Sequence, residues 1–118
     1  MARLFGTDGI RGIAGKELTR SLAAGIGEKL TLLLSRSGEK PKILLARDTR
    51  LSGQMLCFAI ASGICSAGGD VLFTDILPTP AVAFLTTELG ASAGIMVTAS
   101  HNPSEYNGIK IFGSDGHK

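Results

Sequence analysis

KILLARDTRLSGQMLCFAIASGICSAGGDVLF, residues 42–73, carries the reading that decides the fold. Its first part, Ile43-Leu44-Leu45-Ala46, is a short continuous apolar run between Pro41 and the polar group Arg47-Asp48-Thr49-Arg50, the pattern of a strand buried on both faces. From Ser52 the period changes. Met55, Leu56, Ala59, Ile60, Gly63 and Ile64 recur at helical spacing as far as Ala67, and Gly68-Gly69 supplies a left-handed stop. Val71-Leu72-Phe73 returns to an extended apolar run. A strand, a helix and a second strand in so short a stretch make a βαβ unit with parallel strands.

Outward from this unit the alternation continues. Upstream, Leu18, Leu22, Ile26, Leu30, Leu33 and Leu34 follow helical spacing, with Thr19 as N-cap and Gly38 just past the end. Downstream, Leu77-Pro78-Thr79-Pro80 breaks the chain. Thr79 followed by Pro80 is expected as the N-cap and first residue of a third helix ending near Gly90, with Phe84 and Leu85 on its core face. Residues 93–98 read as a third strand and residues 109–112 as a last one, preceded by Asn107-Gly108, a pair that favours a reversing turn. The expected fold class is α/β: a three-layer α/β/α arrangement with a mixed, mostly parallel four-stranded sheet and an antiparallel final strand.

The 118 residues amount to about one domain. With 44% hydrophobic residues, 19% charged residues and a mean hydropathy of +0.27, the chain is no candidate for intrinsic disorder. Twelve Lys and Arg face ten Asp and Glu, scattered without an aromatic-lined basic stripe, so no nucleic-acid partner is expected. No window holds the roughly 18 uninterrupted apolar residues of a membrane helix, and the first six residues have no signal-peptide core. The expectation is therefore no membrane span and a cytoplasmic location. Cys57 and Cys65 lie in one helical pattern, about 12 Å apart along the axis and too far for a disulfide. Both are expected to be buried reduced thiols, with Met55, Met96 and the phenylalanines as further core candidates.

In open α/β sheets ligands bind beyond the carboxyl ends of the parallel strands, which singles out loops 47–50, 77–80 and 99–103. The last carries the richest chemistry. Thr98-Ala99-Ser100-His101-Asn102-Pro103 sets a hydroxyl, an imidazole and an amide in a row directly after an apolar strand. Ser100 is a candidate nucleophile or carrier of a transferable group, provided that a base or a metal assists it. The G-x-S-x-G elbow of hydrolases and the G-x-x-x-x-G-K-[ST] phosphate loop are both absent.

Together with Tyr106-Asn107-Gly108-Ile109-Lys110, this loop resembles the active-site serine loop of the α-D-phosphohexomutases. Three further segments join it in the family's order: Phe5-Gly6-Thr7-Asp8-Gly9-Ile10-Arg11-Gly12, Arg47-Asp48-Thr49-Arg50-Leu51-Ser52-Gly53 and Pro78-Thr79-Pro80. The resemblance covers nearly the whole chain as the first of the family's four domains, so residues 1–118 are expected to be a truncated domain I, with domains II to IV absent. It implies a phosphohexomutase that converts glucosamine 6-phosphate to glucosamine 1-phosphate through a bisphosphorylated sugar and a phosphoserine at Ser100. It also implies Mg²⁺, bound through the Ser100 phosphate and an aspartate-rich loop of the second domain. The partners implied are a sugar-phosphate substrate and the remaining domains, and the surface those domains would cover raises the expectation of a homodimer.

The remaining roles carry over residue by residue. Lys110 shares a strand face with Phe112, opposite Ile109 and Ile111, and is a candidate to stabilise phosphoryl oxygens or to act as general base. Its bland alternative is a solvated lysine guarding a sheet edge. His101 is a candidate donor to the serine phosphate or a proton-transfer group. Arg11, after a glycine-rich turn, and Thr7 are candidate phosphate binders, and Asn102 is expected to hold the loop as well as to contact phosphate. The Arg47-Asp48-Thr49-Arg50 group is read as structural, its charges satisfying one another and capping the following helix. Competing functions are a phosphomannose or phosphoglucose mutase of the same superfamily, a module that holds a sugar phosphate without turnover, and a subunit-contact domain.

Overall fold

A computed structural model describes residues 9–99 and 102–117 of the chain. The βαβ unit is present: strand β2 (Lys42–Arg47), helix α2 (Gly53–Ser66) and strand β3 (Asp70–Ile76), with β2 and β3 parallel. Helix α1 (Arg20–Leu34) starts where the sequence places its cap, because Thr19 Oγ1 accepts from the Leu22 amide at 3.1 Å and satisfies one of the free donors of the first turn. A 3₁₀ turn, Ser35–Ser37, follows, and Gly38 closes it at φ 86°.

Helix α3 (Thr79–Glu88) begins one residue earlier than the sequence indicates, with Pro78 as N-cap and Thr79 already helical. The two prolines fix the entry without a side-chain cap, since a proline in the first turn forfeits no helical hydrogen bond. Strand β4 (Ala93–Val97) pairs parallel with β2, and strand β5 (Tyr106–Gly113) runs back antiparallel to β4.

The sheet has five strands rather than four. Residues Ile10–Ile13, read from sequence as part of a glycine-rich opening, form strand β1 and pair antiparallel with β5, giving the order β1-β5-β4-β2-β3. Four residues, two of them Arg and Gly, are too few to display a period. Their partner β5 supplies the strand conformation. Asn107-Gly108, expected as a turn, lies inside β5, and loop 98–105 makes the reversal instead. Asn107 is buried, with Nδ2 donating to Ser52 Oγ at 2.8 Å, so its polarity fastens β5 to the start of α2.

Helices α1 and α2 cover one face of the sheet, and their core holds Ile26, Ile43, Leu45, Leu56, Ile60, Ile64, Ile95 and Ile109. Each such side chain contributes about 1.5–3 kcal/mol on burial. The two helices approach closely because Gly27 faces Ile60 and Gly63 faces Ala24, where a Cβ would meet backbone. The opposite face, under α3, has a smaller core of Leu44, Ala46, Val82, Ala91, Met96 and Phe112.

Several core expectations are corrected here. Phe84 is 64% exposed, and Val82 and Thr86 take the inner side of α3. Met55, Phe58, Phe73 and Cys65 are exposed, whereas Cys57 is fully buried. Residues on α2 that keep the helical period still divide between an inner and an outer side, and only the packing of α1 decides which is which. Among the described residues no helix is long and apolar enough to cross a membrane.

Candidate active site at the carboxyl ends of the strands

Because β2, β3 and β4 run parallel, their carboxyl ends open on one edge of the sheet, and the loops that follow them meet there. The Asp48 amide donates to Val97 O at 3.1 Å, and the Leu77 amide donates to Arg47 O at 3.1 Å. A β-bulge in β3 helps to shape this edge. The register slips between Leu45 and Ala46, Asp75 takes φ 63°, and its carboxylate accepts from Arg47 Nε at 2.7 Å. A left-handed φ costs a non-glycine residue of order 1 kcal/mol, and the ion pair with Arg47 holds the aspartate in place.

Loop 98–105 rises from β4, the central strand, whose five residues are all buried. Of the six site residues expected from sequence, Thr7, Ser100 and His101 lie outside the described residues. The structure brings the other three to this region. Arg11 sits on β1 opposite Gly108, and its Nη1 donates to Asn102 Oδ1 at 3.4 Å, a long bond that joins the N-terminal strand to the serine loop. Asn102 also holds the loop through its own backbone, with its amide donating to Ala99 O at 3.1 Å.

Lys110 pairs in register with Met96 on the face that carries Phe112, and it is only 8% exposed. Its strand lies between β1 and β4, so the alternative of a solvated lysine at a sheet edge does not hold. Gly108 is what allows Arg11 to lie across β5: a Cβ there would stand 2.9 Å from Arg11 Cγ. Arg11 and Lys110 therefore stand on the same face of the sheet, two cations one strand apart beside a loop rich in hydrogen-bonding groups. That arrangement suits an anion.

Asp48 and Arg50 do more than satisfy each other. Asp48 Oδ2 accepts from Thr98 Oγ1 at 2.5 Å and from Arg50 Nε at 3.3 Å. The Arg50 guanidinium continues into the serine loop, donating from Nη2 to Asn102 O at 2.9 Å and from Nη1 to Pro103 O at 2.7 Å and Tyr106 O at 3.0 Å. The expected capping of α2 is absent, since Ser52 is its N-cap and makes no side-chain cap bond.

Residues 2–118 match the phosphoglucomutase/phosphomannomutase alpha/beta/alpha domain I family. The chain belongs to that family. It is 53% identical over all 118 residues to a phosphoglucosamine mutase of Desulforamulus reducens and 55% identical to one of Clostridium perfringens strain SM101. It spans 27% and 26% of the length of these two relatives. Among solved structures it superposes on a phosphoglucomutase/phosphomannomutase family protein from Burkholderia thailandensis with TM-score 0.83 at 35% identity, over 98% of this chain and 27% of that one.

This domain I has the α/β/α architecture anticipated from its sequence, one strand wider. Among the described residues no group of three or more His, Cys, Asp or Glu side chains stands together as a metal site. Cys57 belongs to the buried core between α2 and the sheet. Burial pushes its thiol up to about 12, and its Sγ points at Ala46 O at 3.9 Å. The reach of Asp48 and Arg50 is what sequence reasoning missed, and a usable signal was present: alternating charges directly after the carboxyl end of a buried parallel strand.

Proposed function

We infer that this chain is the first of four domains of a phosphoglucosamine mutase, an isomerase that interconverts glucosamine 6-phosphate and glucosamine 1-phosphate in the cytoplasm. The observation that carries this reading is the identity of 53% and 55% with phosphoglucosamine mutases over the full 118 residues. In the reaction, the phosphoryl group on Ser100 passes to the sugar's free anomeric hydroxyl. The Oγ–P bond breaks, a P–O bond to the sugar forms, and the hydroxyl proton leaves to a base. The bisphosphorylated sugar then returns its other phosphoryl group to Ser100 and leaves as glucosamine 1-phosphate.

Lys110, buried and on the face that Arg11 shares, supplies charge stabilisation for the moving phosphoryl oxygens or takes the hydroxyl proton. Arg11, Thr7 and Asn102 hold phosphate oxygens, and His101 donates to the phosphoserine. The Ser100 phosphate and residues of the second domain would hold a Mg²⁺ ion, which would supply charge neutralisation for the transferring phosphoryl group. The remaining domains would complete sugar recognition.

The test is phosphopeptide mass spectrometry of the full-length enzyme that carries this domain, with Ser100→Ala as control and turnover measured on glucosamine, mannose and glucose 6-phosphates. Phosphate on Ser100, loss of activity in the variant and preference for the amino sugar are expected. An active enzyme with an unmodified Ser100 would sink the mechanism, and preference for mannose or glucose would reassign the substrate.

A further inference from the structure

Residues 98–106 leave β4 and return as β5 with Ser100 between two arms, and one side-chain pair from a different loop holds both arms. On the first arm, Thr98 Oγ1 donates to Asp48 Oδ2 at 2.5 Å. On the second, Arg50 binds the carbonyls of Asn102, Pro103 and Tyr106 at 2.7–3.0 Å. The arms are joined through the pair itself, since Arg50 Nε donates to the same Asp48 oxygen at 3.3 Å. Asp48 is in turn fixed to the sheet through its amide on Val97 O at 3.1 Å, and its Oδ1 accepts from the Arg50 amide at 3.0 Å within its own loop.

We propose that Asp48 and Arg50 form a cross-brace that positions the phosphoryl-carrying serine, making Arg50 a positioning residue for the mutase reaction; this rests on the function inferred above. Three carbonyl oxygens converge on one guanidinium whose side chain is 12% exposed. A planar fork with five fixed donors can serve three carbonyls and a carboxylate together, whereas an ammonium group offers its donors from a single point. In-line transfer tolerates little displacement: an error of about 1 Å in a reacting group can cost on the order of 100-fold in rate. The same serine must also meet two different hydroxyls of the sugar. Arg50 fastens the second arm through the backbone of residues 102, 103 and 106, and Asp48 fastens the first through Thr98.

The experiment compares wild type, Arg50→Lys, Asp48→Asn and the double variant in the full-length enzyme, reading kcat, KM for the sugar phosphate and thermal unfolding. Arg50→Lys retains charge and most of the packing, so it is expected to fold while kcat falls about 10- to 100-fold and KM stays within about twofold. Asp48→Asn is expected to lower kcat similarly. The double variant is expected to be little worse than either single one, the non-additivity of residues acting as a unit. A folded Arg50→Lys enzyme with wild-type kcat, or one that loses only KM, overturns the proposal, as does a double variant whose losses multiply. A wild-type enzyme without phosphate on Ser100 overturns the mutase reading and the brace with it. A phosphorylated, active wild type beside an equally active Arg50→Lys overturns the brace alone.

Discussion

Gly108→Ala is the most demanding test of the way β5 is seated beside the site. A Cβ on Gly108 would stand 2.7 Å from Ile10 O, 2.7 Å from Thr98 O and 2.9 Å from Arg11 Cγ. Two of these atoms are backbone carbonyls. They belong to β1 and to the segment leaving β4, which flank β5 on opposite sides. Moving the methyl group away from one carbonyl drives it toward the other, so the strain cannot be relieved by sliding β5. Relief requires β1 to move out, which strains its pairing with β5 and shifts Arg11 from Asn102.

Overpacking of this kind costs about 1–3 kcal/mol. A glycine-to-alanine change in a strand otherwise favours the fold by roughly 0.5–1 kcal/mol, so the net loss should be about 0–2.5 kcal/mol, centred near 1 kcal/mol. For a domain of this size each 1 kcal/mol lowers the unfolding midpoint by about 3–6 °C. Urea and thermal unfolding of Gly108→Ala measure it. Mutase kinetics of the full-length variant should show a raised KM for the sugar phosphate as Arg11 is displaced. An alanine variant with the wild-type midpoint and wild-type KM would refute both the strain and the link from Gly108 to Arg11.

The contact between α1 and α2 gives a paired prediction: Gly63→Ala should lower stability by about 1–3 kcal/mol because its Cβ meets the Ala24 carbonyl and stands 3.0 Å from Glu28 N, whereas Gly25→Ala, with open space around it, should raise stability by about 0.5–1 kcal/mol. Equal effects in urea titrations would discount the close helix approach. Lys110→Met, which preserves most of the buried stem, should leave the protein folded by circular dichroism while lowering kcat by at least about 100-fold, and normal turnover would remove Lys110 from the site. In the native protein at pH 8, iodoacetamide should label Cys65 and spare Cys57, as peptide mass spectrometry will read; labelling of both at one rate would contradict the burial of Cys57. Cys57 also predicts a pH dependence. Its folded-state value is raised from 9.0 to about 12, so its contribution is fully present below pH 9 and is lost as pH rises through that window. Urea midpoints of wild type should therefore fall between pH 8.5 and about 11 more steeply than those of Cys57→Ala.

The elements that the sequence displays most clearly are those with enough residues to show a period. Helices α1 and α2 and strands β2 and β4 were legible because apolar spacing, the Thr19 cap and the Gly68-Gly69 stop agree with one another. Strand β1 was not, because four residues containing Arg11 and Gly12 have no pattern of their own and become a strand only through β5. Asn107-Gly108 misled for a related reason. The pair is a turn signal in isolation, but here Asn107 is needed for its bond to Ser52 and Gly108 for its missing side chain.

For the candidate site, the chain order marked the serine loop, because ligands gather beyond the carboxyl ends of parallel strands, whereas Arg11 and Lys110 were marked by the resemblance to the phosphohexomutases. Sequence determined the chemistry available: which loop holds a hydroxyl, an imidazole and an amide, and that the strands beneath it are buried. Only the tertiary structure decided that Lys110 is interior rather than a guard at a sheet edge, and that Arg47-Asp48-Thr49-Arg50 reaches a loop some 50 residues away. Local patterns record what each segment prefers. Hydrogen bonds from one strand end to another depend on sheet order, and that order is set by the packing of the whole domain.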